Sequence, residues 1–131
     1  MSDPHDPPLR DVSVLVVDDQ EETRYAVGAY LRHFGAHVET AASGADALTY
    51  LATARAHVLV IDYDMPGMNG FDLLARIRKM PGEGEQRTPA ILYTAADDLA
   101  EAARAAGFDG YLVKPLAPRL LVAEIERLAR G

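Results

Sequence analysis

The sequence predicts an α/β fold built on a doubly wound parallel sheet of five strands. Short runs of β-branched and aliphatic residues alternate along the chain with longer segments in which apolar residues recur at helical spacing. Strict alternation of this kind is typical of parallel strands with helices on both faces of the sheet. The 131 residues, 49% of them hydrophobic and 25% charged, suit one globular domain.

The composition narrows the class of protein. The absence of cysteine excludes a disulfide framework and thiolate metal sites, and the net charge of −7 argues against a nucleic-acid-binding surface. No apolar run approaches the roughly 20 residues needed to span a bilayer. The N-terminus lacks the apolar core of a secretory signal. We therefore predict a cytoplasmic protein with no membrane or nucleic-acid partner.

The chain begins with a segment rich in proline and aspartate. Residues 1–10 offer nothing that we expect to be buried, and we predict that they form a flexible N-terminal leader. The folded domain is then expected to cover residues 11–131.

The first strands and helices follow from simple patterns. Residues 12–17 are almost all aliphatic, which is typical of a strand buried on both faces. Apolar residues at helical spacing predict a helix over 21–34, and alternation over 37–41 predicts a short edge strand. Ser43 and Asp46 form a capping-box pattern that begins the second helix.

The middle of the chain repeats this arrangement. Residues 58–61 and 90–94 are the next two buried strands. Asn69 and Asp72 form a second capping-box pattern, which begins the helix between them. Residues 81–87 are polar, contain glycine and show no periodicity, so they are predicted to be irregular.

The last third completes the five units. Asp98 with Glu101 predicts the start of an alanine-rich fourth helix, which Gly107 ends. Residues 111–113 form a brief fifth strand. Proline suits the first turn of a helix, and a final helix is predicted over 118–130.

Polar residues follow four of the predicted strands where each one ends. They are Asp18 and Asp19, Asp62, Thr94 and Lys114. Parallel strands place their carboxyl ends at one edge of the sheet, where open α/β sheets bind ligands. Each residue alone could cap a helix or lie in solvent, but four complementary groups at one edge indicate a common site.

The chemistry of this set indicates phosphoryl transfer. Clustered carboxylates raise one another's pKa unless a cation lies among them, and oxygen ligands without histidine or cysteine favour Mg²⁺. Lys114 adds a positive charge and Thr94 a hydroxyl group, both of which suit a phosphoryl group. Because no serine or cysteine stands beside a base, the predicted acceptor is a carboxylate, which would form an aspartyl phosphate.

Four motifs make the chain resemble a known family. They are Val-Asp-Asp at 17–19, Ile-Asp-Tyr-Asp-Met-Pro-Gly-Met-Asn-Gly at 61–70, Tyr-Thr-Ala at 93–95 and Tyr-Leu-Val-Lys-Pro at 111–115. With them the chain resembles, from Val12 to Arg130, the response-regulator receiver domain, the CheY-like phosphoacceptor of two-component signalling and phosphorelays. The resemblance implies a flavodoxin-like sheet with strand order 2-1-3-4-5.

The resemblance also implies a role for each site residue. Asp62 would be the phosphoacceptor, with Thr94 and Lys114 as the other catalytic residues. Asp19, Asp62 and the main-chain carbonyl of Asp64 would ligate Mg²⁺, and Asp18 would act on the ion directly or through a water molecule. Thr94 and Tyr111 would form the conformational switch, and the bond before Pro115 would be cis.

The partners implied by the resemblance are proteins. The donor would be a histidine kinase or a histidine phosphotransfer protein, and phosphorylation would alter the face made by the fourth helix, fifth strand and fifth helix to control binding of a downstream protein. The domain would catalyse its own phosphorylation and dephosphorylation rather than act as an enzyme. We expect a single-domain regulator without DNA-binding output, as a monomer or weak dimer.

Other interpretations remain open at this point. The loop at 81–87 and the Leu-Ala-Pro at 116–118 resemble receivers of hybrid histidine kinases. Asp62-Tyr63-Asp64 also resembles the haloacid-dehalogenase-type phosphatases, although Pro66 stands where those enzymes carry threonine or valine. A Toprim-like metal site leaves Thr94 and Lys114 unexplained. A receiver fold that only binds partners would not need the full set of site residues.

Overall fold

Five strands and five helices alternate along the chain in a computed structural model, which describes residues 6–131. They are β1 (Ser13–Val17), α1 (Glu21–His33), β2 (His37–Ala41), α2 (Gly44–Leu51), β3 (Val58–Ile61), α3 (Gly70–Arg78), β4 (Ala90–Thr94), α4 (Ala100–Ala106), β5 (Gly110–Val113) and α5 (Pro118–Arg130). All strand pairs are parallel, in the order β2-β1-β3-β4-β5. The predicted fold class and strand order are confirmed.

Alternation along the strands gives each face of the sheet its own core. In β1, Val14 and Val16 pack in the core that includes residues of α1 and α5, whereas Leu15 and Val17 pack in the core that includes residues of α2, α3 and α4. The central strands β3 and β4 are buried along their whole length. They are therefore apolar on both faces, as expected for a covered parallel sheet. In residues 6–131, no helix is long and apolar enough to cross a membrane.

Two of the three predicted helix starts that rested on side-chain caps are confirmed. The Ser43 hydroxyl accepts a hydrogen bond from the Asp46 main-chain N–H, and Asn69 and Asp72 form a complete capping box. The fourth helix begins at Ala100, two residues after the predicted start at Asp98. The predicted cap at Asp98 is wrong, because the residue before α4 is Leu99, whose side chain cannot cap a helix and whose main-chain N–H donates to the Tyr111 hydroxyl at 3.2 Å.

Strand register brings the polar strand ends to one edge. Val17, Ile61 and Leu92 lie side by side on β1, β3 and β4. Immediately beyond them the Asp62 N–H donates to the Val17 carbonyl at 2.9 Å, and the Lys114 N–H donates to the Thr94 carbonyl at 2.8 Å. The ends of four strands thus meet where the sequence places its acidic and basic residues.

The segment before β1 differs from the prediction of a leader with nothing to bury. Leu9 is 0% exposed and packs in the core with residues of α1 and α5. Its N–H donates to the Phe34 carbonyl at 2.9 Å, while Arg130 at the end of α5 donates to the Pro8 carbonyl at 3.0 Å. The prediction is therefore wrong for Leu9, because one apolar side chain in a polar segment fills a gap between two helices. Residues 1–5 of the predicted leader lie outside the described part of the chain.

Candidate functional site

Asp62 lies at the carboxyl end of β3 and is only 7% exposed. The loop that follows folds back beneath it, and the Gly70 N–H donates to the Tyr63 carbonyl at 2.9 Å. A Cβ atom at Gly70 would lie 2.5 Å from the Asp62 carbonyl oxygen, so this close return requires glycine. The Asn-Gly pair of the motif thus fixes the position of the buried carboxylate.

Three carboxylates gather at this edge of the sheet. Asp18, Asp19 and Asp62 each offer an oxygen, and these three oxygens lie within 4.8 Å of one another. Asp18 is buried and Asp19 is exposed. Asp18 Oδ1 accepts a hydrogen bond from the Gln20 N–H at 2.9 Å, which holds its carboxylate in place. This oxygen-only set is suited to a hard cation such as Mg²⁺.

Lys114 brings a positive charge to the cluster. Its Nζ lies 2.6 Å from Asp18 Oδ2 and 3.6 Å from Asp62 Oδ2, and its side chain is 17% exposed. The bond between Lys114 and Pro115 is cis. One ammonium group therefore offsets part of the repulsion between two buried carboxylates.

Burial raises the pKa of the Asp62 carboxyl above its usual value, and the neighbouring Asp18 adds to this effect. Lys114, the Thr94 hydroxyl and the Asp64 main-chain N–H act in the opposite direction without cancelling it. The ionised form of Asp62 is thus poorly solvated. Further positive charge, such as that of a bound cation, would stabilise the ionised form.

The predicted switch residues are connected through one residue of the loop after β4. The hydroxyl of Thr94, which is 1% exposed, accepts a hydrogen bond from the Ala96 N–H at 3.4 Å. The Tyr111 hydroxyl donates to the Ala96 carbonyl and accepts from the Leu99 N–H at 3.2 Å. Hydrogen bonds through Ala96 therefore connect Thr94 with Tyr111, and the Tyr111 hydroxyl in turn binds the residue before α4.

Asp19 and Thr94 do not cap the helices that follow them. The residue before α1 is Gln20, and the one before α4 is Leu99; neither helix has a side-chain cap. Asp19 and Thr94 are thus not needed to cap these helices. Both line a cleft of about 470 Å³ beside Asp62 and Lys114, which leaves them available to a ligand.

The structure brings five of the predicted residues together and places two at the periphery. Asp18, Asp19, Asp62, Thr94 and Lys114 form the centre of the site. The exposed Asp64 side chain lines the cleft, and only the main chain of Asp64 contacts Asp62. Tyr111 is half-buried and is connected to Thr94 through its hydrogen bond with Ala96.

Arg24 is a residue of the site that sequence reasoning missed. Its guanidinium donates to the Asp18 carbonyl at 2.8 Å from the first turns of α1. The contact fixes the main chain at the acidic pair. The sequence signal for this contact is an arginine within the first two turns of a helix that follows an acidic strand end, because its guanidinium can reach back to the main chain of that strand end.

Comparison with known proteins agrees with this geometry. Residues 14–126 match the family model of the response regulator receiver domain. The chain is 36% identical to the chemotaxis protein CheY of Pseudomonas aeruginosa over 121 residues, covering 89% of this chain and 95% of that protein. The structure of CheY4 from Vibrio cholerae superposes with a TM-score of 0.81 at 34% identity, covering 89% of this chain and 98% of that one.

Two further relatives show the range of proteins that carry this domain. The transcriptional regulatory protein AfsQ1 of Streptomyces coelicolor is 36% identical over 90% of this chain, which spans only 51% of that protein. The response regulator TrrA of Thermotoga maritima, solved in complex with Mg²⁺-BeF, superposes with a TM-score of 0.79 at 26% identity, over 89% of this chain and 98% of that one. With the acidic site and the family match together, the chain belongs to the response-regulator receiver domains of two-component systems.

Proposed function

We propose that Asp62 accepts a phosphoryl group from a phosphohistidine of a histidine kinase or a histidine phosphotransfer protein. The observation that carries the proposal is the placement of the buried Asp62 beside Asp18, Asp19 and the ammonium of Lys114. One poorly solvated carboxylate is surrounded by groups that favour a metal ion and a phosphoryl group. The function is a phosphorylation-controlled switch in a two-component pathway.

The residues present fit a Mg²⁺ ion. The carboxylates of Asp18, Asp19 and Asp62 would hold it, together with the main-chain carbonyl of Asp64, and TrrA shows that a related domain binds Mg²⁺-BeF. The ion would neutralise charge on the phosphoryl oxygens during transfer.

The positions of the side chains support an in-line transfer of the phosphoryl group. A carboxylate oxygen of Asp62 attacks phosphorus in line as the phosphorus–nitrogen bond to the donor histidine breaks, leaving that histidine neutral once it regains a proton from solvent. Lys114 pairs with the phosphoryl oxygens, and the Thr94 hydroxyl donates a hydrogen bond to them. Water attack on the aspartyl phosphate returns the carboxylate and releases inorganic phosphate.

The same contacts would carry the signal outward. Movement of Thr94 toward the phosphoryl group changes its hydrogen bond with Ala96, the residue that also binds Tyr111. The equilibrium between two arrangements of α4, β5 and α5 then shifts, and a downstream protein binds one of them more tightly.

The test is intact-mass spectrometry after incubation with acetyl phosphate, with and without Mg²⁺. We expect a single phosphoryl adduct that requires Mg²⁺ and is absent from Asp62→Asn. Asp46→Asn, an exposed aspartate in the first turn of α2, is the matched control and should retain the adduct.

The other outcomes separate the competing functions. Rapid release of inorganic phosphate without an adduct would replace the proposal with a phosphatase. Neither adduct nor release, in a folded protein that binds Mg²⁺, would leave a partner-binding module and reject Asp62 as an acceptor.

A further inference from the structure

The ring of Tyr93 lies beneath the charged end of Lys114. Lys114 Nζ is 5.4 Å from the ring centroid, within the distance at which an ammonium group is attracted to the face of an aromatic ring. On its other side the same ammonium contacts Asp18 and Asp62. Lys114 is thus held between two carboxylates and an aromatic face.

Tyr93 is well fixed for such a role. It is 7% exposed and packs in the core that includes residues of α1 and α5, on the opposite face of β4 from Thr94. Tyr30 on α1 packs against the same core, and burial raises the pKa of the Tyr30 hydroxyl well above its ordinary value, with Tyr93 adding to this effect. The ring therefore has little freedom to follow a moving lysine.

We propose that Tyr93 is a positioning residue for Lys114, and that its ring face holds the ammonium over the acidic cluster. A lysine side chain has four rotatable bonds, and that of Lys114 is 17% exposed, so without the ring it can swing toward solvent. The ring restricts it to the side of the cleft that faces Asp62. The consequence for phosphoryl transfer rests on the proposed function, whereas the position of the ammonium does not.

The chain offers a direct measurement of that position. It contains only two lysines, Lys79 and Lys114, so their side-chain methylene signals can be resolved in a ¹³C-labelled protein. Protons that lie over an aromatic face are shifted upfield by the ring current. We expect the Hε protons of Lys114 to resonate upfield of those of Lys79, which is exposed at the end of α3.

Three variants isolate the ring. Because Tyr93→Leu also removes the ring current, the readout in the variants is the mobility of the Lys114 side chain, measured by ¹³C relaxation at Cε. Tyr93→Leu should increase this mobility, while Tyr93→Phe, which keeps the ring, should retain most of the restriction and of the upfield shift. Ile91→Val removes one methyl group from a buried residue of the same core and should leave the Lys114 signal in place. The measurement is made without Mg²⁺ or phosphate, so it does not depend on Asp62 being an acceptor.

The kinetic consequence is measured separately. Initial phosphorylation by acetyl phosphate should fall roughly 3- to 10-fold in Tyr93→Leu, and Tyr93→Phe should recover most of the loss. Unchanged Lys114 mobility in folded Tyr93→Leu, or an equal increase in Ile91→Val, would overturn the positioning role. Increased mobility in Tyr93→Leu, with a wild-type protein that takes no phosphoryl group, would support the positioning role and reject the proposed function.

Discussion

The Tyr111 hydroxyl donates a hydrogen bond to the main-chain carbonyl of Ala96. The N–H of the same residue donates to the Thr94 hydroxyl, so Ala96 connects Thr94, at the end of β4, with Tyr111 on β5. We therefore expect the loop between β4 and α4 to respond to changes at either Thr94 or Tyr111.

Removal of the Tyr111 hydroxyl should loosen that loop. Tyr111→Phe loses the hydrogen bonds to Ala96 and Leu99, each of which contributes about 1 kcal/mol. We expect amide hydrogen exchange over residues 95–100 to increase roughly 5- to 10-fold, while Asp62 still accepts a phosphoryl group. Tyr50→Phe, a half-buried tyrosine on α2, is the control, and equal loosening in both variants would argue against the connection.

Lys114 should compete with the metal ion. The Lys114 ammonium forms an ion pair with an oxygen of Asp18 and lies near Asp62, so it repels a cation at the same carboxylates. Lys114→Met should therefore tighten Mg²⁺ binding by roughly 3- to 10-fold while slowing phosphorylation. Isothermal titration calorimetry at fixed ionic strength measures the first effect. Lys79→Met makes the same change in charge outside the site and should bind Mg²⁺ as the wild type does.

The raised pKa of Asp62 predicts a pH-dependent effect on stability. An acid whose pKa is higher in the folded state than its ordinary value of 3.8 destabilises the fold once it is ionised, so the cost is present above the folded pKa. Asp62→Asn should therefore increase the free energy of unfolding at neutral pH without Mg²⁺. The gain should shrink as the pH falls through the folded pKa toward 3.8, and urea titrations at several pH values measure it. A gain independent of pH would point to packing instead.

The pKa of a second buried carboxylate, that of Glu83, is shifted in the opposite direction from the pKa of Asp62. Glu83 is 8% exposed and accepts hydrogen bonds from the Thr88 hydroxyl at 2.6 Å, the Thr88 N–H at 3.1 Å and Arg78 at 2.6 Å. Burial alone would raise the pKa of Glu83, but these bonds hold it below its ordinary value of 4.5. Its contribution to stability is thus present above that value and lost as the pH falls through the lower folded pKa.

Replacement of this carboxylate should be costly at neutral pH. Glu83→Gln removes the nearer of the two carboxylates beside the partly buried Arg78 and leaves only Asp109, 4.0 Å away, so it should lower the free energy of unfolding by roughly 2–4 kcal/mol at pH 7. The difference from wild type should narrow as the pH falls below 4.5 toward the lower folded pKa of Glu83. Glu85→Gln, in the same loop but exposed, should change stability by less than about 0.5 kcal/mol.

Leu9 should behave as a core residue. Because its side chain is 0% exposed, Leu9→Ala should lower the free energy of unfolding by roughly 2–4 kcal/mol, measured by urea denaturation. Leu120→Ala is the matched control, since Leu120 is 54% exposed on α5 and its truncation should cost less than about 0.5 kcal/mol. If Leu9→Ala lowers the free energy of unfolding by as little as Leu120→Ala does, the Leu9 side chain does not stabilise the core.

Much of the fold could be predicted because strand and helix patterns are local. The aliphatic runs fixed the strands, and the Asn69–Asp72 capping box fixed the start of α3. Parallel strands then required Asp62, Thr94 and Lys114 to meet at one edge, whatever their separation along the chain. The site was predictable because it lies where strands end.

The remaining contacts could not be predicted because they depend on tertiary packing. Leu9 is a single apolar residue without periodicity, and Glu83 lies in a polar loop that gives no sign of burial. The contact between the Lys114 ammonium and the Tyr93 ring depends on the register of β4 and β5, which pairs Tyr93 with Leu112, two residues before Lys114.

The contact between Arg130 and Pro8 has a practical consequence. The end of α5 and the segment before β1 meet at the amino edge of the sheet, opposite the edge that carries Asp62. If the domain is labelled with a fluorophore or immobilised on a bead through either of these segments, the attachment point therefore lies far from the acidic cleft. A tethered copy of the domain should still be able to meet a phosphohistidine donor approaching from the opposite side.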